Sequence, residues 1–223
     1  MNEQTIDRRP LATRKLGISR WTAQAVARTG ITPNQISALG MLFGIGSGLA
    51  LGATALVADP WWRVLFIAGA VLTQLRLLCN MLDGMVALAQ KSDSPVGELY
   101  NEIPDRISDS ATLIGLGFAL GGSIELGFAA ALIAMFTAYI RAMGKAAGGP
   151  QQFCGPMSKP QRMFTVTVVA LYCALTPVAW QPTLVLWSPL GLPALALLLI
   201  CAGAAVASVR RLARAARSLR GAA

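Results

Sequence analysis

Asn80-Met-Leu-Asp83-Gly84-Met-Val-Ala87-Leu88, then Gly97-Glu-Leu-Tyr-Asn101-Glu-Ile-Pro-Asp105 and then Asp109, is the stretch whose reading decides the fold. It is set inside otherwise apolar sequence. Ionisable groups at membrane depth are costly, face a bundle interior or an aqueous cavity, and mark function. At about 100° per residue, Asn80, Asp83 and Ala87 share one stripe of a helix. Asn101, Asp105 and Asp109 share one stripe of the next. Two such stripes face to face present oxygen ligands across a cleft, which suits a hard divalent cation such as Mg2+, Mn2+ or Ca2+.

Outward from that stretch the chain has 223 residues, 55% of them hydrophobic and 13% charged. The length gives one domain, 1–223. The apolar residues come in long blocks, which argues for an all-α polytopic membrane bundle rather than a soluble core. A spanning helix needs about 20 residues. Six are expected, at 33–57, 61–90, 97–120, 124–146, 162–179 and 190–212. Small residues concentrate in 37–55, 111–130 and 202–208 and let membrane helices approach closely. Residues 1–30 read as a cytoplasmic interfacial segment. An amphipathic juxtamembrane helix over 11–29 turns Leu11, Ile18, Trp21 and Val26 inward.

Charge sets the expected orientation. Arg8, Arg9, Arg14, Lys15, Arg20 and Arg28 precede the first span, Lys91 follows the second, and Arg210, Arg211, Arg214, Arg217 and Arg220 close the chain. The positive-inside rule puts both termini and the Asp83 end in the cytoplasm, as expected of a bacterial inner-membrane protein. Trp61, Trp62, Trp180 and Trp187 then form the outer interfacial belt. The net charge of +9 sits beside the membrane, where topology and anionic headgroups explain it, so no nucleic-acid partner is expected. The chain has no histidine, and its four cysteines have no CxxC spacing. His-based catalysis, zinc sites and a disulfide framework are therefore set aside.

These residues resemble the signature of the CDP-alcohol phosphotransferases, D-x-x-D-G-x-x-A-R, eight residues, then G-x-x-x-D-x-x-x-D. Asp83, Gly84, Ala87, Gly97 and Asp105 fall in its register with the eight-residue gap kept. Three positions depart: Asn80 and Asn101 stand at Asp positions and Leu88 at the Arg position. The resemblance implies a homodimeric membrane enzyme. It would transfer a phosphatidyl-type group from a CDP-linked lipid, most often CDP-diacylglycerol, to an alcohol acceptor, and CMP would leave. It implies that Asp105 is the base, that Asp83, Asp105, Asn80 and Asn101 form the metal site, and that Gly84, Ala87 and Gly97 approach the nucleotide. The family site uses four carboxylates against two divalent ions. With amides at two of those positions, one firm Mg2+ or Mn2+ bridging Asp83 and Asp105 is expected, the second being weak or absent. Two other readings stay open: a degenerate member that binds a CDP-lipid or phospholipid without turnover, and an ion or proton pathway suggested by the buried carboxylates and Arg76.

Arg141, Lys145, Lys159 and Arg162 flank a Gly/Pro-rich connection at 148–160. They serve either topology or a phosphate-binding pocket for donor or acceptor. Deeper in, helical rise places Arg76 about 21 Å inward of Trp62 and Asp109 about 18 Å inward of Gly121. The two share a depth, and neither charge is tolerable alone in hydrocarbon. They are expected to pair as a floor beneath the metal site, while Arg106 meets Glu102 one turn away.

Overall fold

A computed structural model describes residues 30–90, 95–185 and 189–220. The amphipathic helix expected over 11–29, and Trp187, lie outside the described residues. Six long helices follow in order: α1 Pro33–Ala53, α2 Trp61–Ala89, α3 Pro95–Phe118, α4 Ile124–Ala146, α5 Lys159–Leu175 and α6 Leu192–Arg220. A two-residue antiparallel ladder, β1 Leu184–Val185 with β2 Pro189–Leu190, lies in the connection from α5 to α6. Four helices, α1, α2, α4 and α6, are long and apolar enough to cross a membrane. The other two fall short for physical reasons. α3 carries the acidic stretch, and α5 is 17 residues long. The protein is an integral membrane protein of the all-α class.

The helix ends follow from local chemistry. Thr32 caps α1 in a reciprocal box with Gln35, and Pro33 occupies the first turn, where its missing N–H costs nothing. Ser158 and Gln161 do the same for α5. That box starts α5 at Lys159, three residues ahead of the expected span, so Lys159 and Arg162 become its first turn rather than a flank. Thr176, held extended ahead of Pro177, ends it. At the far end α6 continues as helix through Arg220.

α1 packs along both α2 and α3, α4 lies against α3 and α6, and α5 against α2 and α6. The tightest crossing is α1 on α3, through the small residues noted in the sequence. A Cβ at Gly48 would lie 2.2 Å from the Ala111 carbonyl oxygen, and one at Gly115 would lie 2.1 Å from that of Gly48. Backbones this close admit no side chain. The apolar core joins Leu51, Phe66, Leu113, Leu116, Met163, Val166, Leu197 and Ile200 from five helices. One of the Trp residues departs from the expected belt. Trp61 and Trp180 are exposed, but Trp62 is only 6% exposed. Its ring meets Phe66 edge-on at 6.1 Å, and the Arg63 guanidinium lies 4.2 Å over it. Arg63 also donates to the carbonyls of Ala174 and Thr176, so this pair ties α2 to the end of α5 instead of marking the interface.

Candidate active site

The two polar stripes meet. Asn80 and Asp83 on α2 face Asn101 and Asp105 on α3, with α1 completing one wall. Asp83 is buried. Its Oδ2 accepts a hydrogen bond from Ser37 Oγ of α1 at 2.7 Å, and its Oδ1 accepts from the Gly84 backbone N–H at 2.6 Å. Asp105 is partly open. Its Oδ1 accepts from Arg76 Nη2 at 3.0 Å and its Oδ2 from Asn80 Nδ2 at 3.4 Å. Asn80 Nδ2 also reaches Asn101 Oδ1 at 3.5 Å, which links the two amide positions across the cleft.

Lys159 enters this constellation from the first turn of α5. Its ammonium donates to Asn80 Oδ1 at 2.8 Å and pairs with Asp105 Oδ2. A helix N-terminus is an unfavourable place for a cation, so the acidic partner across the cleft is what offsets that position.

Beneath lies the floor. Arg76, 1% exposed, pairs with Asp109 Oδ1 at 2.7 Å, as the depth argument requires. It also donates from Nε to Ser108 Oγ at 2.9 Å. Asp109 has a second cation, Arg162, at 3.2 Å from its Oδ2. Arg162 also donates to the Met157 carbonyl at 2.8 Å. Two carboxylates, Asp105 and Asp109, therefore pair with three cations, Arg76, Lys159 and Arg162, while Asp83 is held by Ser37 and the Gly84 N–H. Glu102 takes both Arg106 and Arg141 at 2.5 Å.

The four basic residues around the 148–160 connection thus separate. Lys159 reaches the motif, Arg162 turns down to Asp109, and Arg141 pairs with Glu102 beneath the Phe153 ring. Lys145 lies one turn beyond Arg141, exposed. Among the nucleotide-facing positions, Gly84 and Ala87 are half-buried on the Asp83 turn, and Gly97 lies in the first turn of α3. Sequence reasoning missed Ser37, although a hydroxyl on the small-residue face of α1 is a signal for a packing partner. It also missed Lys159 as part of the motif, although the Ser158-x-x-Gln161 box marks where α5 begins.

No protein-family model matches the chain. Its sequence is 28% identical over 178 residues to a phosphatidylinositol phosphate synthase of Mycolicibacterium smegmatis, covering 76% of each chain. It is 26% identical over 158 residues to the inner membrane protein YnbA of Escherichia coli, covering 71% of this chain and 76% of that one. Its fold is similar to Mycobacterium tuberculosis phosphatidylinositol phosphate synthase in complex with manganese and citrate. The TM-score is 0.71 and the identity 22%, over 88% of both chains. The same enzyme with CDP-DAG bound gives 0.70 and 21%, over 92% of this chain and 94% of that one. These sequence relatives and fold neighbours agree with the resemblance to the CDP-alcohol phosphotransferases that the spacing from Asp83 to Asp105 carries.

Against the CDP-alcohol phosphotransferase pattern its signature is a variant, and the variation bears on metal. Asp83 and Asp105 supply carboxylates, while Asn80 and Asn101 supply amide oxygens. Among the described residues no three of His, Cys, Asp or Glu gather as ligands of one ion. Mg2+ is commonly held by one or two carboxylates plus substrate phosphates. The donor set fits one such ion.

Proposed function

We propose that the protein transfers a phosphatidyl-type group from a CDP-linked lipid, CDP-diacylglycerol above all, to an alcohol acceptor, releasing CMP in phospholipid biosynthesis. The observation that carries this is the meeting of Asp83 and Asp105 across one cleft, in the family register, in a chain with synthase relatives. Asp105 takes the proton of the acceptor hydroxyl. The oxygen so freed bonds to the lipid-side phosphorus, the bond from that phosphorus to the bridging oxygen breaks, and CMP leaves with the bonding pair. Arg76 holds Oδ1 of Asp105, and Asn80 and Lys159 hold Oδ2, so the carboxylate is fixed in place for the proton transfer. Asp83, held by Ser37 and by the Gly84 N–H, is with Asp105 the carboxylate that would hold a divalent ion, Asn80 and Asn101 adding amide oxygens. That ion, when bound, supplies positive charge to the diphosphate and the leaving group.

Gly84, Ala87 and Gly97 let the nucleotide approach closely. Arg141 and Lys145, with Lys159, are the phosphate-binding candidates. Arg162, 3% exposed and donating through both arms, is structural. The active site and both termini face the cytoplasm of a bacterial inner membrane, residues 1–30 lie at its surface, the chain acts as one domain, and two copies form a homodimer. The reading as a binder without turnover draws support from one contact, Lys159 on Asp105. The ion-pathway reading loses much of its motive, because Arg76, Asp105 and Asp109 are paired with one another and Asp83 is held by Ser37 and the Gly84 N–H.

Changing Asp105→Asn tests the assignment. Acceptor-dependent CMP release falls by ~100-fold or more, while expression and assembly are kept. Full activity in that variant would sink the role given to Asp105.

A further inference from the structure

We propose that the Lys159 ammonium is a built-in substitute for one divalent cation, so that the site takes one metal ion where the family pattern provides for two. The inference rests on the phosphotransferase reading above and concerns how its charge is supplied.

The first observation is where the ammonium sits. Its partners, Asn80 Oδ1 and Asp105 Oδ2, come one from each facing stripe. Both residues stand at positions where the family pattern has metal-site carboxylates. A lysine is a compact point charge with three donors. Two are used on this pair, and the third is left for a phosphate oxygen of the diphosphate.

The second observation is charge. Asn80 and Asn101 each remove one negative charge from the family's set of four carboxylates. A site with fewer carboxylates holds fewer divalent ions, because ligand charge tunes affinity. Lys159 moves in the same direction, adding positive charge where two negative charges are lost. The two amides and the ammonium act in one direction, each leaving less negative charge for a second divalent ion.

The third observation is that the segment presenting Lys159 is fixed on both sides. Gly155 adopts φ +103°, and a Cβ there would lie 2.7 Å from the Ala207 Cβ of α6. Met157, a non-glycine residue at φ 52°, packs its side chain over Gly203 of α6. Arg211 Nε donates to the Cys154 carbonyl at 2.9 Å and Arg162 Nη1 to the Met157 carbonyl at 2.8 Å. Positive φ at a non-glycine residue persists where its surroundings over-determine it. Ser158 and Gln161 then set the start of α5, and Lys159 follows. The ammonium is therefore carried on a braced turn, not on a long arm sweeping a surface.

Mn2+ titration of the purified protein in detergent, read by electron paramagnetic resonance in the presence of CDP, tests this without any need for turnover. The wild-type chain binds one Mn2+ per chain. Asn80→Asp with Asn101→Asp and Lys159→Met binds two, and Lys159→Gln in place of Lys159→Met gives the same count should the methionine variant fail to assemble. The two Asp changes with Lys159 retained leave the count at one. Two ions in the wild type, or an unchanged count of one when both carboxylates are restored and the lysine removed, overturns the proposal. The phosphotransferase reading fails separately: a wild type that releases no CMP with any acceptor, but whose ion count goes from one to two in the triple variant, refutes the activity and leaves the exchange of ammonium for metal standing.

Discussion

Two regions of the same three helices are held together in opposite ways. Around Asp83 and Asp105, α1, α2 and α3 meet through charged and hydrogen-bonding side chains, with Ser37 on Asp83 and Arg76 bridging Asp105 and Asp109. Further along, α1 and α3 meet through bare backbone at Gly48 and Gly115, and Ser47 reaches Thr73 Oγ1 at 2.7 Å. Backbone contact has no adjustable part, so it sets the spacing of the helices. Side-chain contact does have one, so it can accept a ligand. The difference teaches that the glycine crossing positions the cleft and the polar end uses it.

The comparison breaks most severely at the crossing. A Leu in place of Gly115 must displace the Gly48 carbonyl, which is backbone rather than a movable side chain. Gly115→Leu costs more than the ~1–3 kcal/mol of ordinary overpacking. Size-exclusion chromatography in detergent should find little monodisperse protein. A normal yield and melting temperature would mean that the crossing does not set the spacing.

The charged floor comes next. Breaking a buried pair by removing one partner costs ~3–5 kcal/mol. Asp109→Leu takes the carboxylate partner from Arg162 and leaves Arg76 with Asp105 alone, whereas Arg76→Leu leaves Asp109 with Arg162 and Asp105 with Lys159. Both destabilise, Asp109→Leu more, and the double change recovers much of the loss in thermal denaturation. Equal and additive losses would show that the two side chains are not coupled.

The smallest effect belongs to Ser47. Its hydroxyl bonds the Gly69 carbonyl at 2.9 Å as well as Thr73, and hydrogen bonds between membrane helices average ~0.6 kcal/mol. Ser47→Ala therefore lowers the melting temperature slightly and leaves activity unchanged. A loss comparable to that of Asp109→Leu would place the polar contacts, rather than the backbone contact, in control of spacing.

Much of this was legible in the sequence. The register of Asp83, Asp105 and Gly97 needs only spacing, and the Arg76–Asp109 pair needs only helical rise and the cost of charge in hydrocarbon. The close approach of α1 was visible in its run of Gly and Ser. What stayed hidden depends on which helices become neighbours. Lys159 is 76 residues beyond Asp83 in the chain, and nothing local says that α5 delivers its first turn to the α2–α3 cleft. Arg162 was hidden for the same reason. Its charge reads as a flank until the capping box at Ser158 places it inside the helix, one turn below Lys159. Trp62 misled because an aromatic residue beside a charged one at a helix start is the usual sign of an interface, and here it is instead a packed pair with Arg63.

The central claim is that the acceptor oxygen attacks the lipid-side phosphorus with CMP as leaving group. The most direct measurement uses CDP-diacylglycerol labelled with 32P on that phosphorus, incubated with the wild-type protein, a divalent ion and, in turn, glycerol 3-phosphate, serine, inositol and inositol phosphate. One acceptor should carry the label into a new phospholipid, with unlabelled CMP released in equal amount and nothing released without acceptor. Label remaining wholly in the donor with every acceptor, while the donor still binds, would contradict the account and leave the chain as a lipid-binding protein without turnover.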